Sequence, residues 1–155
     1  MFSITAIFKP DSERYEGVRP INIYLLRLLF LLVVVFVGSD SWSAILKHEG
    51  PWDHVKAAAM CMWAAYAVLS IFGLINPLRW LPIVMFEIFY KIIWLVIVAY
   101  PLWSTNQLAG SPAEGMARAF VWVILPILAM PWSYAFRTYI WTSKSGQPRS
   151  TGIHD

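Results

Sequence analysis

The chain has 155 residues, room for one domain, and is 59% hydrophobic and 14% charged. Soluble globular domains are about 45–50% apolar and 25% charged, so this composition is typical of membrane proteins instead. The net charge of +3 is small, and no run of lysine and arginine forms a nucleic-acid footprint, which excludes that class of partner. The single cysteine, Cys61, excludes an internal disulfide and a cysteine-based metal site.

The first element in chain order is a polar segment that is followed by an apolar run. We predict that residues 1–20 form a cytoplasmic N-terminal segment and that residues 21–46 form the first transmembrane helix. A cleaved signal peptide ending at Ser39 is the competing interpretation of residues 1–39. Its apolar region, 21–37, is longer than such peptides usually have, so we expect the segment to stay.

The second helix is predicted at residues 52–75, after a connection, HEGPWDH, at residues 48–54. Gly50 and Pro51 end one helix and begin the next, because proline is tolerated at a first helical position. A small residue recurs at every fourth position of the second helix, at Ala57, Cys61 and Ala65, and this helix has further small residues at Ala58, Ala64 and Gly73. Small side chains let helix backbones approach closely in lipid, so this stripe is predicted to face another helix.

The third helix, predicted at residues 80–103, combines length and hydrophobicity with two opposite charges. A spanning helix needs about 20 apolar residues, and this one carries Glu87 and Lys91 near its middle. At helical pitch the two lie on one face with the acid first, which is the favourable order, and Trp94 falls on the same stripe. Ionisable groups at that depth are costly unless they are paired, so these residues form a candidate site.

The fourth helix is predicted at residues 112–140, and residues 142–155 are predicted to be a polar cytoplasmic tail. Ser111 and Glu114 have the spacing of a capping box, with a proline at the first helical position between them. Pro126 and Pro131 lie inside the predicted helix, so we expect a kink there. The predicted fold class is an all-α membrane protein: an antiparallel four-helix transmembrane bundle over residues 21–141.

Orientation follows from the basic residues that flank the predicted helices. Eight fall on one side of the membrane: Lys9, Arg14, Arg19, Arg27, Arg79, Arg137, Lys144 and Arg149. Three fall on the other: Lys47, Lys56 and Arg118. The positive-inside rule therefore predicts that both termini are cytoplasmic and that the 48–54 loop faces outward.

One candidate site consists of charges inside the predicted helices. Arg27 lies about 9 Å above the start of helix one and Glu87 about 8 Å above Pro82, so both are expected at similar depth, with Lys91 one turn deeper. A functional hypothesis makes Glu87 the titrating group of a ligand- or proton-binding site, with Arg27, Lys91 and Trp94 around it. The structural alternative is a charge cluster that fixes the register of the helices. Trp94 also suits an interfacial aromatic belt.

A second candidate site is the outward loop, where His48, Glu49, Asp53 and His54 lie within seven residues. Two imidazoles and two carboxylates suit zinc or another divalent metal. Their spacing matches no established metal signature, so we favour solvated loop residues, with Asp53 at the start of helix two. No haem is expected, because no histidine falls within an apolar span to serve as an axial ligand.

Three segments resemble a known group of proteins: HEGPWDH, PLRWLPIVMFEIFYKIIW and PWSY. They are similar to segments of small, uncharacterised four-span bacterial membrane proteins, over residues 21–141. The resemblance implies a bacterial inner membrane and no activity.

Three functions stay open for the sequence. The leading hypothesis is a non-enzymatic binding or accessory subunit, homo-oligomeric or docked on a larger membrane complex. The alternatives are a small oligomeric proton- or ion-coupled transporter, and an interfacial metal-dependent enzyme that uses the 48–54 loop.

Overall fold

The computed structural model describes residues 9, 11 and 15–141 of the chain. The described residues are mostly helical and contain no strand, apart from one isolated antiparallel bridge between Asp11 and Val18. The predicted tail 142–155 lies outside the described residues, and so does most of the predicted N-terminal segment.

Five helical segments follow one another along the described chain. They are α1 (Pro20–Leu46), α2 (His54–Ile75), α3 (Leu81–Ser104), α4 (Glu114–Ala129) and α5 (Trp132–Ile140). π-Helical turns interrupt α1 at Val33–Val37 and α3 at Leu95–Ala99. Three of these helices are long and apolar enough to cross a membrane, and α4 with α5 makes a fourth if the bent pair is one span. The bounds of α1, α2 and α3 lie within two residues of those predicted.

The fourth predicted helix is broken, and the chain bends by 75° between α4 and α5. Met130 is extended, with φ −67° and ψ 124°, because a residue that precedes proline is excluded from the helical region. Pro131 has no N–H to donate to the carbonyl of Ile127, and the indole Nε1 of Trp132 donates to that oxygen instead, at 3.0 Å. The predicted kink is therefore confirmed, and its cause is Pro131.

The predicted capping box before α4 is wrong in both of its contacts. Glu114 reaches back, but its Oε2 accepts from the backbone N–H of Gly110 at 2.7 Å. The Ser111 hydroxyl donates to the carbonyl of Leu108 at 2.8 Å instead of capping the helix. Gly110 has a positive φ of 76°, and this left-handed turn sets the loop one residue away from the capping-box register.

α1 and α2 approach closely at small residues, which include the predicted Ala64 and Gly73 but not the predicted stripe of Ala57, Cys61 and Ala65. Cys61 and Ala65 are exposed. The buried small residues of α2 recur at every third position, at Ala64, Ala67, Ser70 and Gly73. A methyl group added at Gly73 would lie 2.5 Å from the Phe30 ring, so only glycine fits beneath that ring. The predicted stripe of small residues therefore lies on a different face of α2 from the buried small residues.

Further contacts connect the other helices. The rings of Phe72 on α2 and Trp80, just before α3, stack with centroids 5.4 Å apart. The Tyr139 hydroxyl on α5 donates to the carbonyl of Leu78 at 2.8 Å. Asn22 on α1 donates to the carbonyl of Ala129, at the end of α4, at 3.0 Å. The outward faces are apolar, with exposed side chains such as Phe36, Leu46, Ile97, Trp103 and Leu128.

Candidate functional site

The centre of the candidate site is Glu87, whose side chain is buried between α2 and α3. Only 2% of the residue is exposed. Its Oε1 accepts a hydrogen bond from Lys91 Nζ and its Oε2 accepts one from the Tyr66 hydroxyl, both at 2.5 Å. An ionised carboxylate removed from water is costly unless it is paired and hydrogen-bonded, and here both oxygens have partners.

Two helices supply the partners of Glu87 in different ways. Lys91 follows it by one turn of α3, so helical pitch alone brings the two together, as predicted. Tyr66 comes from α2, and one turn further on Ser70 donates to the Tyr66 carbonyl at 2.8 Å. Tyr66 and Ser70 are both buried. The hydrogen bond between Tyr66 and Glu87 therefore fixes α2 against α3 in the apolar interior.

The ammonium of Lys91 lies at the border of this buried network. The Lys91 side chain is 15% exposed, whereas that of Glu87 is 3% exposed. Lys91 Nζ lies 5.8 Å from the centre of the Phe120 ring on α4, within the range of a cation–π contact. The edges of Trp94 and Tyr90 also meet Phe120, with centroids 5.1 and 5.6 Å apart. Trp94 thus belongs to the site through Phe120 and not through the charges.

Lys91 also lines a cavity of about 520 Å³ between the helices, which we call the Lys91 cavity. Its other walls include Asp40 from α1, Trp63 from α2 and Phe120 from α4. Ligand pockets in proteins have volumes of about 300–1,000 Å³ and combine an apolar lining with few polar groups. Lys91 can donate three hydrogen bonds and gives one to Glu87, so it can still donate to an acceptor held in this cavity.

Arg27 does not join this network, so the predicted cluster of Arg27, Glu87 and Lys91 is wrong. Arg27 is exposed and lines a different cavity, next to the connection that contains Asn76 and Arg79. Glu87 lies about 9 Å along α3 from Leu81, at 1.5 Å per residue, whereas Arg79 comes before this helix begins. The prediction placed the beginnings of helices one and three at the same level, which they are not.

The outward loop does not gather its four predicted metal ligands. His48 stacks on Trp52, with ring centroids 3.5 Å apart, and Asp53 caps α2 by accepting from the Lys56 N–H at 2.7 Å. Glu49 and His54 are exposed. Within the described residues, no three histidine, cysteine, aspartate or glutamate side chains form a possible metal site. The hypothesis of a metal site is wrong in its geometry, and the alternative at the start of helix two is confirmed for Asp53.

Sequence reasoning missed two members of the site, Tyr66 and Phe120. A tyrosine hydroxyl inside an apolar helix needs a hydrogen-bond partner, and that need was the available signal for Tyr66. Its partner could not be identified, because Glu87 lies on another helix. Phe120 carried no signal, since it is one of many aromatic residues in the apolar helices.

Comparison with known proteins adds no family to this geometry. No protein-family model, no curated protein and no solved structure matches the chain. What the site can do therefore follows from the Glu87 network and the Lys91 cavity alone.

Proposed function

We propose that this chain is an integral membrane protein whose helices form an antiparallel four-helix transmembrane bundle. The lengths and hydropathies of α1, α2 and α3, and of the bent pair α4 and α5, support it. The order of contacts supports the antiparallel direction. Between α1 and α2, Phe30 lies next to Gly73 and Gly38 lies next to Ala67. Between α2 and α3, Tyr66 contacts Glu87 and Phe72 contacts Trp80. In both pairs of helices, residue numbers rise on one helix as they fall on the other.

We place the bundle in a bacterial inner membrane with both termini in the cytoplasm. The excess of lysine and arginine on one side, eight against three, supports this orientation. A reporter that fluoresces only in the cytoplasm should therefore be bright when fused to either terminus. A dark C-terminal fusion that is expressed and membrane-inserted would mean an odd number of spans and would overturn this topology.

The function that the geometry supports best is that of a non-enzymatic binding or accessory subunit. The observation that carries it is Lys91, which is paired with buried Glu87 and also lines a cavity of ligand size. The ligand is an amphipathic molecule with an apolar body for the aromatic walls and a hydrogen-bond acceptor for Lys91. Burial of Glu87 holds the ammonium in place, because any other position would leave the carboxylate unpaired.

We propose a partner in the membrane on the apolar outward faces, either further copies of this chain or a larger complex. Large apolar side chains such as Phe36, Ile97 and Leu128 are more than half exposed. Lipid covers such faces as well as a protein does, so the mass of the assembly in gentle detergent decides between them.

Native mass spectrometry of the full chain tests the binding function. We expect wild-type protein to carry a bound small molecule in roughly stoichiometric amount, and Lys91→Met to lose it while the helix content stays unchanged. Arg118→Met is the matched control, because this cation pairs with Glu114 at an exposed position. Wild-type protein without a bound molecule in several gentle detergents, or a molecule that Lys91→Met retains, would contradict the proposal.

A second candidate function is a small oligomeric proton- or ion-coupled transporter. The burial of Glu87, which accepts a hydrogen bond from the Tyr66 hydroxyl, favours it, because carboxylates inside membranes serve in proton relays. Proton flux into liposomes that depends on Glu87 would establish it over the binding function. The third alternative, a metal-dependent enzyme, relied on the 48–54 loop, whose side chains do not converge.

A further inference from the structure

A second cavity, of about 490 Å³, lies at the opposite end of the helices from the 48–54 loop, and two arginines line it. Arg27 comes from α1 and Arg79 from the connection between α2 and α3; both are exposed. We call it the arginine cavity. Tyr134, Tyr139 and Asn76 add polar side chains to its walls.

Within the described residues, neither arginine has a carboxylate partner. The two ion pairs found there are Glu87–Lys91 and Glu114–Arg118. Glu16 lines the cavity, but its Oε2 accepts from the Tyr134 hydroxyl at 2.6 Å, and Arg137 donates to its carbonyl oxygen at 3.4 Å. The lining of the cavity thus contains two guanidinium groups and one carboxylate, which leaves an excess of positive charge.

The position of Arg27 makes this excess costly without an anion. Arg27 lies about 10 Å along α1 from Pro20, at 1.5 Å per residue, between apolar neighbours. A cation at that depth of a transmembrane helix pairs with an anion or reaches the membrane surface. Here the side chain lines a cavity that contains a second guanidinium and a single carboxylate, so an anionic group would balance the remaining positive charge.

We propose that the arginine cavity binds the phosphate of an anionic phospholipid headgroup. Guanidinium groups match phosphate oxygens in bidentate geometry, and basic pockets between helices on the cytoplasmic side are suited to such headgroups. Ile75, 73% exposed, lines the same cavity, so an apolar surface for an acyl chain begins where the headgroup ends. The proposal rests on the membrane location proposed above.

The test uses the full chain in neutral detergent and measures its melting temperature with three additives. These are phosphatidylglycerol, phosphatidylcholine and inorganic phosphate. We expect phosphatidylglycerol to raise the melting temperature in a salt-sensitive way and phosphatidylcholine to have little effect. In Arg27→Gln/Arg79→Gln the half-saturating concentration should rise by about tenfold or more for each arginine, because charge-assisted hydrogen bonds are lost. Arg118→Gln, which removes an arginine outside the cavity, should bind as the wild type does.

Each other outcome overturns a defined part of the proposal. A shift by phosphatidylglycerol that the double variant retains overturns the site. An equal shift by phosphatidylcholine overturns the need for net negative charge. A shift by inorganic phosphate alone, lost in the double variant, keeps the phosphate chemistry and overturns a lipid as its source. If the double variant does not fold, Arg79→Gln, in the exposed connection, carries the same test.

A separate measurement distinguishes this proposal from the membrane location on which it rests. Alkaline carbonate removes peripheral proteins from membranes and leaves integral ones behind. A chain that carbonate removes overturns the membrane location. A carbonate-resistant chain without the phosphatidylglycerol shift overturns the lipid site and leaves the location and the Lys91 cavity intact.

Discussion

Two glutamate–cation pairs in this chain have nearly the same local geometry and very different surroundings. Glu87 with Lys91, and Glu114 with Arg118, each have four-residue spacing, the acid first, and an N–O distance of 2.5 Å. The side chains are 3% and 15% exposed in the first pair, but 29% and 79% exposed in the second. Helical pitch is therefore enough to form such a pair, and burial decides what the pair does.

The second carboxylate oxygen shows the consequence of that difference. In Glu87 it accepts from Tyr66 on another helix, so the pair connects α2 to α3. In Glu114 it accepts from the N–H of Gly110, in the turn just before its own helix. The buried pair thus organises the contact between helices, whereas the exposed pair only shapes the beginning of one helix.

The largest expected effect is that of Lys91→Met. It leaves the almost fully buried Glu87 carboxylate without its cation, and breaking a buried pair costs about 3–5 kcal/mol. We expect a loss of that size in the free energy of unfolding, measured by denaturant titration of helix content in detergent. A loss no larger than that of Arg118→Met would show that burial does not distinguish the two pairs.

A double-mutant cycle sharpens the comparison. Glu87→Gln should destabilise the chain, and Glu87→Gln/Lys91→Met should recover much of that loss, with a coupling of about 3 kcal/mol, the upper end for residues in contact. Arg27→Met should change the stability equally with and without Glu87→Gln, because Arg27 lines another cavity. Coupling between Arg27→Met and Glu87→Gln instead would mean that the three charges act as one cluster.

Tyr66→Phe tests the contact that only the buried pair makes. It removes the hydrogen bond to Glu87, and a hydrogen bond to a charged group contributes about 2 kcal/mol. The matched control is Tyr90→Phe, since the Tyr90 hydroxyl makes no hydrogen bond within the described residues while its ring packs against Phe120. Equal losses of unfolding free energy in the two variants would contradict the role of Tyr66.

The smallest effect is expected at the exposed pair. Glu114→Gln and Arg118→Met should leave the melting temperature in detergent unchanged within error, because water and salt screen an exposed pair. A marked loss in either variant, measured beside Lys91→Met in the same detergent, would remove the distinction between the two pairs.

The helices were predictable because each signal lies within a short stretch of the chain. Apolar runs long enough to span a membrane predicted α1, α2 and α3, and Pro131 predicted the bend. The pair of Glu87 and Lys91 was predictable for the same reason, since one helical turn separates its members.

Contacts between helices were not predictable from one sequence. Three features depend on how one helix slides and rotates against another. They are the hydrogen-bond partner of Tyr66, the face of α2 that carries its buried small residues, and the depth of Arg27 relative to Glu87. The 48–54 loop shows a related failure: neighbours in sequence separate because Asp53 caps a helix while His48 stacks on Trp52. Contacts of this kind are properties of packing and not of local pattern.

The bend at Pro131 has a consequence for the membrane itself. α4 is about 24 Å long at 1.5 Å per residue, whereas the hydrocarbon core of a bilayer is about 30 Å thick. α5 leaves α4 at 75°, so it contributes little further length across the bilayer. In the proposed transmembrane bundle the bilayer would therefore thin around α4, and hydrophobic mismatch of this kind favours thinner membranes and neighbours with equally short spans.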